Sequence, residues 1–319
     1  MQIYKTQAPI ASPKFWLLSF FIMLLVVVGV MALLQGITVF LIPPLYNIPL
    51  DELAALLTNP DNYEQGRQAF LLIQGVGTGF AFFVAALLIA KLVDRADFGM
   101  QQQVSRYKFT GLLLMFMVMI GAILFNSLLI DINMGIKLPE FMSGIESWMR
   151  NKEDELMYMT KFITDFQSTG EFLAGVLVIG VLAGLGEEVF FRGVLQPKIQ
   201  IYTGNPHVAV WLTAFIFSAI HMQFYGFLPR LLLGAVFGYL YIFSGSMIYP
   251  IIAHILNNTF TVVLVYLNKL GKIEFDLEET GQVSVLYAII GLVLMVFALK
   301  VFNEHHNKKE INEKLAENI

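Results

Sequence analysis

The sequence predicts an all-α polytopic membrane protein of about eight transmembrane helices, with one amphipathic helix lying outside the bilayer. Three observations carry that expectation. Of 319 residues, 57% are hydrophobic and 14% charged, where about 25% charged is usual in a soluble domain. The mean hydropathy is +0.70. Several charge-free apolar runs of about 20 residues occur, each long enough to cross the hydrocarbon core as a helix.

The apolar runs fall at about 15–42, 68–93, 109–130, 172–196, 207–224, 230–246, 249–268 and 283–302. The first has Lys5 and Lys14 ahead of it, as a signal peptide would, but it exceeds a signal h-region of about 7 to 15 residues and reads as a retained span. Lys91, Arg95, Arg106 and Lys108 lie between the second and third runs, and Lys300, Lys308, Lys309 and Lys314 follow the last. The positive-inside bias then places both termini in the cytoplasm and makes this an integral, multi-pass membrane protein.

Between the third and fourth runs, residues 131–170 are polar yet patterned. Phe141, Ile145, Trp148, Met149, Leu156, Met159, Phe162, Ile163 and Phe166 recur at spacings of three and four, the mark of an amphipathic helix on the exterior face. Such a helix could cover a site or lie on the lipid, and the second reading is the simpler. Ser168 to Glu171 resembles a capping box that opens the fourth span. The glycines from Gly75 to Gly79 lie inside the second span, without the strand context of a nucleotide loop, and suit close helix packing. The stretch 303–319 reads as a short solvated cytoplasmic tail in which His305 and His306 are exposed and inert. No internal repeat or linker divides the chain, so residues 1–319 form one membrane domain, with 172–268 as its functional core.

Cysteine is absent, which excludes disulfides, thiol nucleophiles, thiolate metal ligands and palmitoylation. The net charge of −4 says little about partners. Expected partners are the lipid bilayer and a peptide or protein substrate within or at the membrane, and not nucleic acid.

From Phe172 to Asn268 the charged residues are Glu187, Glu188, Arg192, Lys198 and Arg230, and the last two can lie near span ends. A charge at the centre of a membrane helix costs about 2.5 to 3.5 kcal/mol on insertion scales, and such groups pair and mark function. At about 100° per residue, Glu188 and Arg192 share a helix face within about 40° and can pair, whereas Glu187 points about 100° away from Glu188. Glu187 is therefore left to address another neighbour. His254 and Asn258 share a face, as do Phe217 and His221. A glutamate, two imidazoles and an amide can activate water and stabilise the oxyanion formed on a peptide carbonyl. There is no HExxH sequence, and no aspartate lies inside a span, which removes the two other water-activating protease designs. Ser244-Gly245-Ser246 near His254 suits a tight interhelical turn better than a serine nucleophile.

In this order and on expected spans, Glu187-Glu188-x-x-x-Arg192, Phe217-x-x-x-His221 and His254-x-x-x-Asn258 resemble the CPBP family of intramembrane proteases. That family includes the Ras-converting CAAX prenyl endopeptidase and bacterial bacteriocin-processing or self-immunity proteins. The resemblance covers about Phe172 to Thr261. It implies an intramembrane endopeptidase that hydrolyses a membrane-associated or C-terminal, CAAX-like peptide. It further implies Glu187 as water-activating base helped by His221, with His254 and Asn258 completing the site, Asn258 as oxyanion donor, and Arg192 holding the helix through Glu188. Zn2+ bound by Glu187 and two histidines, and a metal-free glutamate mechanism, both remain open. Two other functions are compatible with the residues: a membrane scaffold or bacteriocin-immunity protein that needs no cleavage, and a Glu/His proton-relay transporter.

Depth poses a difficulty. His221 lies fourteen residues past His207, about 21 Å along a helix and beyond the midplane, while Glu187 lies only nine before Gln196. The two must nevertheless meet for the reading to hold.

Overall fold

The computed structural model describes residues 5–6, 15–275 and 284–316, with side chains within 15–275 and 284–307. Expectations that concern the side chains of Lys5, Lys14, Lys308, Lys309, Ile311, Lys314 and Leu315 lie outside that set. The described chain is helical apart from a two-residue antiparallel pairing of Lys5–Thr6 with Ala96–Asp97. Seven helices are long and apolar enough to cross a membrane. These are α1 (Trp16–Tyr46), α3 (Gly66–Val93), α5 (Phe109–Met134), α7 (Thr169–Thr203), α9 (Phe227–Ser244), α10 (Ile248–Lys269) and α11, whose span is Val285–Asn307. Short helices α2 (Leu53–Thr58) and α4 (Met100–Ser105) fill connections, and α6 (Ser143–Thr164) is the amphipathic segment.

The fifth expected span is the exception. Helix α8, Pro206–Ala219, has 14 residues, about 21 Å at 1.5 Å per residue, short of a hydrocarbon core about 30 Å thick. It stops before His221. Helix α7 in turn runs on to Thr203, well past Gln196. Measured from the shared α7–α8 connection, Glu187 stands 16 residues before Thr203 and His221 stands 15 after Pro206. That is about 24 Å of helix for Glu187 and, for His221, the roughly 21 Å of α8 plus two turn residues, so the two groups reach a similar depth, where they line the same cavities.

Polar side chains close both ends of the bundle. At the α6 end, Arg67 donates to Glu171 at 2.9 Å and to Asp165 at 3.3 Å, and Lys269 donates to Asp165 at 2.7 Å. Ser168 Oγ accepts from Glu171 N at 3.2 Å as the expected cap, while the Glu171 carboxylate turns to Arg67 and Gln68. Within α6, Arg150 and the Leu138 N–H hold the Glu146 carboxyl below its usual range. At the other end, Tyr249 OH accepts from Lys108 N at 2.8 Å, and Gln103 accepts from Met247 N at 2.7 Å. His306 lies 3.0 Å from that tyrosine hydroxyl and is half-buried, and His305 meets Thr110. The histidine pair is therefore docked on the bundle rather than exposed in a tail, because α11 continues unbroken through residue 303. Lys198 is also not at a solvated span end: it is 2% exposed and bonds Asp94 at 2.6 Å and Ser19 at 2.8 Å.

Close approach of α3 to α7 brings the motif helix into the core. A Cβ at Gly79 would stand 3.0 Å from the Leu182 backbone, and one at Gly186 would overlap the Gly79 carbonyl. The glycines from Gly75 to Gly79 thus pack helices, as small residues do in membranes. Replacing Gly186 by alanine gains helix propensity of about 1 kcal/mol but drives a methyl into fixed backbone. We predict a net loss of about 1 to 3 kcal/mol, read as a lower unfolding midpoint in detergent, whereas Gly29→Ala, with open space beside it, should not lower it.

Candidate active site

Glu188 and Arg192 lie one turn apart on α7 and both are 0% exposed. Arg192 Nη1 donates to Glu188 Oε1 at 2.7 Å, the pair expected from helix geometry, and Nη2 donates to the Gly234 carbonyl of α9 at 2.8 Å. The guanidinium also stands over the rings of Phe217 at 5.2 Å and Phe237 at 5.5 Å, which supply cation–π attraction where water is absent. Helix α7 widens into π-type turns at Val176–Leu182 and Phe191–Leu195, on either side of the two glutamates. Such bulges re-aim side chains along an otherwise regular helix.

Glu188 accepts a second bond, from His254 Nδ1 on α10, at 2.7 Å. A carboxylate only accepts, so Nδ1 carries the proton in this bond, and Nε2 is the nitrogen turned toward Glu187. That Nε2 stands 3.8 Å from Glu187 Oε2. The ring is fixed by stacking on Phe237 at 5.0 Å. The pairing of Glu188 with a histidine was not legible from a helical wheel, which compares residues on one helix only.

Glu187 is 9% exposed, and its Oε2 is buried without a hydrogen-bond partner. A buried polar atom left unmatched is uncommon. His221 follows the end of α8, with Nδ1 2.7 Å from the Phe217 carbonyl. That carbonyl too only accepts, so Nδ1 donates and the free nitrogen is Nε2. Asn258 donates one amide N–H to the Ile179 carbonyl at 3.1 Å, inside the first π-type turn, which leaves its second N–H for another acceptor.

Glu187, His221, His254 and Asn258 line one cavity of about 570 Å³. Arg230 lines it too and bonds Gln223 at 2.6 Å, so this cation is not at a lipid-facing span end. Glu153, Asp154 and Met157 of α6 form the opposite wall. Helix α6 therefore covers the site rather than lying only on lipid. Its pattern of apolar residues fits both placements, because one stripe can pack on protein while Phe141, 86% exposed, is left outside.

Glu187 and His221 also line a second cavity of about 500 Å³ on their other side. Its walls are mainly apolar, with Met23 and Val27 of α1, Phe82 of α3, Phe190 of α7 and Ile216 of α8, and Gln74 and Thr78 of α3 add the polar groups beyond Glu187 and His221. The carboxylate and imidazole thus stand where a polar chamber meets a hydrocarbon groove.

Two imidazoles and a carboxylate are the right donor types for zinc. As placed they do not converge: among the described residues no group of three or more His, Asp or Glu side chains is arranged to hold a metal ion.

Residues 169–260 match the family described as Rce1-like type II CAAX prenyl endopeptidase. No curated protein and no solved structure matches the chain. This stretch is a domain of that CPBP family, which implies an intramembrane protease with a protein substrate.

Breaking a buried ion pair by removing one partner costs about 3 to 5 kcal/mol because a charge is left unmatched. Arg192→Met should lower stability by that amount in denaturation from mixed micelles, and Arg192→Met combined with Glu188→Gln should be less destabilised than Arg192→Met alone.

Proposed function

We propose that the domain is an intramembrane endopeptidase that cleaves a peptide bond adjoining a membrane-embedded apolar group of its substrate. The observation that carries this is the shared wall: Glu187 and His221 face both the polar chamber and the apolar groove. A substrate whose apolar part lies in the groove presents its neighbouring peptide to the carboxylate and passes its polar end into the chamber.

In this reading Glu187 takes a proton from a water that also donates to His221 Nε2. The water oxygen bonds to the carbonyl carbon while the carbonyl electron pair moves to oxygen, where the second N–H of Asn258 donates. Collapse of that intermediate breaks the C–N bond, and Glu187 returns its proton to the leaving nitrogen. His254, held by Glu188, supports Glu187 from the far side. Low water access around these groups strengthens each electrostatic contact. The family name suggests a prenylated peptide for the apolar part.

The test uses purified protein in liposomes with quenched fluorescent reporters carrying a farnesyl chain, an acyl chain or an apolar helix beside the scissile peptide. Wild-type protein should cleave at least one, and Glu187→Gln and His221→Ala should each lower the rate by about 100-fold to 10,000-fold. Cleavage of none, or cleavage by both variants at the wild-type rate, overturns the reading.

Sidedness follows from charge. With Arg106 and Lys108 on the cytoplasmic face, both termini are cytoplasmic, since Lys5–Thr6 pairs with Ala96–Asp97 and His306 meets the Tyr249 that bonds Lys108 at that same end. Helices α8 and α9 together enter from that face and return to it, and the chamber beneath α6 opens on the exterior. Since the chain has no cysteine, single replacements report this directly in intact cells. Asn151→Cys on exposed α6 should react with an impermeant maleimide, and Gln102→Cys on α4 should react only after permeabilisation. The reverse pattern would turn the chamber to the cytoplasm.

A further inference from the structure

The segment that carries His221 is not a helix. After Ala219 the chain turns through residues 220–226 before α9 begins, and Met222 takes φ 56°, a left-handed conformation that L side chains seldom adopt. Peptide groups of such a turn, outside any helix, need partners from the turn itself or from the surrounding protein. Part of that pairing is local: His221 N donates to the Ser218 carbonyl at 3.3 Å, Met222 N to the Ala219 carbonyl at 3.1 Å and Phe227 N to the Phe224 carbonyl at 3.4 Å, while Ser218 Oγ of α8 donates to the Phe227 carbonyl at 2.7 Å.

The later part of the turn is held by helices outside residues 169–260. Asn133, 2% exposed near the end of α5, donates from Nδ2 to the Phe224 carbonyl at 2.7 Å and accepts at Oδ1 from Leu228 N at 2.7 Å. It therefore bridges the turn and the first residues of α9 with one amide. Glu153 of α6 accepts from Tyr225 N at 3.1 Å. Around these bonds Trp148 packs on Phe224 with ring centroids 5.1 Å apart, and Arg150 stands 4.6 Å over the Tyr225 ring.

We propose that Asn133 and Glu153 are positioning residues that fix the His221 turn, so that the imidazole presents Nε2 to Glu187. The proposal rests on the reading of His221 as a partner of Glu187. Neither side chain touches the reacting atoms. Each acts through the backbone of the turn, and each belongs to a part of the chain that the family match does not include. Loss of either lets the turn relax from its left-handed residue and lets the ring leave the Phe217 carbonyl. Asn133 makes the larger contribution, since it holds two peptide groups, one in the turn and one at the start of α9.

The experiment combines an imidazole signature with kinetics. Protein labelled with 15N-histidine in nanodiscs should show His221 as a single Nδ1–H tautomer, assigned by its loss in His221→Ala. In Asn133→Ala and Glu153→Ala that signal should split into two tautomers while the His254 signal stays in place. Cleavage of the reporter by the same preparations should fall about tenfold or more in kcat with KM changed less than twofold, the usual scale for groups that orient a catalytic side chain. Glu153→Gln keeps an acceptor for Tyr225 N and should restore both the signature and the rate. Unchanged His221 signals and kcat in both alanine variants overturn the proposal. So does a loss confined to the yield of folded protein with kcat per folded molecule intact. Failure of the protease reading would appear separately, as wild-type rates in Glu187→Gln and His221→Ala, and leaves the tautomer measurement to decide the positioning.

Discussion

The Glu188 carboxylate is the contact on which the site depends. Its Oε1 accepts from Arg192 on its own helix and from His254 on α10, both at 2.7 Å, and Arg192 continues to the α9 backbone. Three helices are therefore registered through one oxygen atom. An ion pair at 0% exposure adds little net stability over an apolar packing of the same volume, because desolvation offsets much of the attraction. What it provides is uniqueness. The rotation of α7 that brings Glu188 to His254 of α10 and Arg192 to Gly234 of α9 also sets His254 Nε2 beside Glu187 and leaves Glu187 Oε2 without a partner of its own.

Leaving that oxygen unmatched has a structural cause. The guanidinium is already committed to Glu188 and Gly234, and the nearest imidazole nitrogen stands 3.8 Å away, beyond hydrogen-bond reach. A carboxylate in this state gains more than an exposed one from a water or a peptide N–H, since neither has to displace an existing bond. Its position between an apolar groove and a polar chamber then decides what can reach it. In the proposed reading, groups that remain in hydrocarbon approach from α1 and α3, and water approaches from beneath α6.

Much of this arrangement was legible in the sequence. Helical periodicity separated Glu187 from Glu188, and the i,i+4 pairing of Glu188 with Arg192 follows from the same geometry. The spans were legible because lipid imposes long apolar runs. The failures are equally physical. Helix α8 looked long enough to cross because the apolar run continues through Phe217 to Ile220, and hydropathy does not register that the backbone turns at Ala219. The exit of α7 was set at Gln196 because Lys198 reads as a boundary charge, whereas its burial against Asp94 carries the helix on to Thr203. Glu153 and Asn133 gave no signal: the first sits among other charged residues on α6, and the second is an amide at a span end, where a solvated role is the ordinary one.

These omissions share a pattern that bears on how the activity is divided along the chain. Residues 169–260 contain every group proposed to handle the proton and the oxyanion, and the motif spacing makes them recognisable. Their surroundings come largely from elsewhere. Met23, Val27 and Phe82 form one side of the apolar groove, and Glu153, Asp154 and Met157 form the roof of the chamber. Groove width responds to the size of a few apolar side chains, of which Met23 and Val27 lie on α1, away from the buried ion pair, while Phe82 packs on Phe190 and Phe191 of the motif helix. The roof is joined to the domain through bonds to backbone groups, which place few demands on the side chains of the turn itself. Apart from Asn133 and Glu153, the first half of the chain is then less constrained than the motif helices, and in the proposed reading selection of the substrate is the property that its variation would change first.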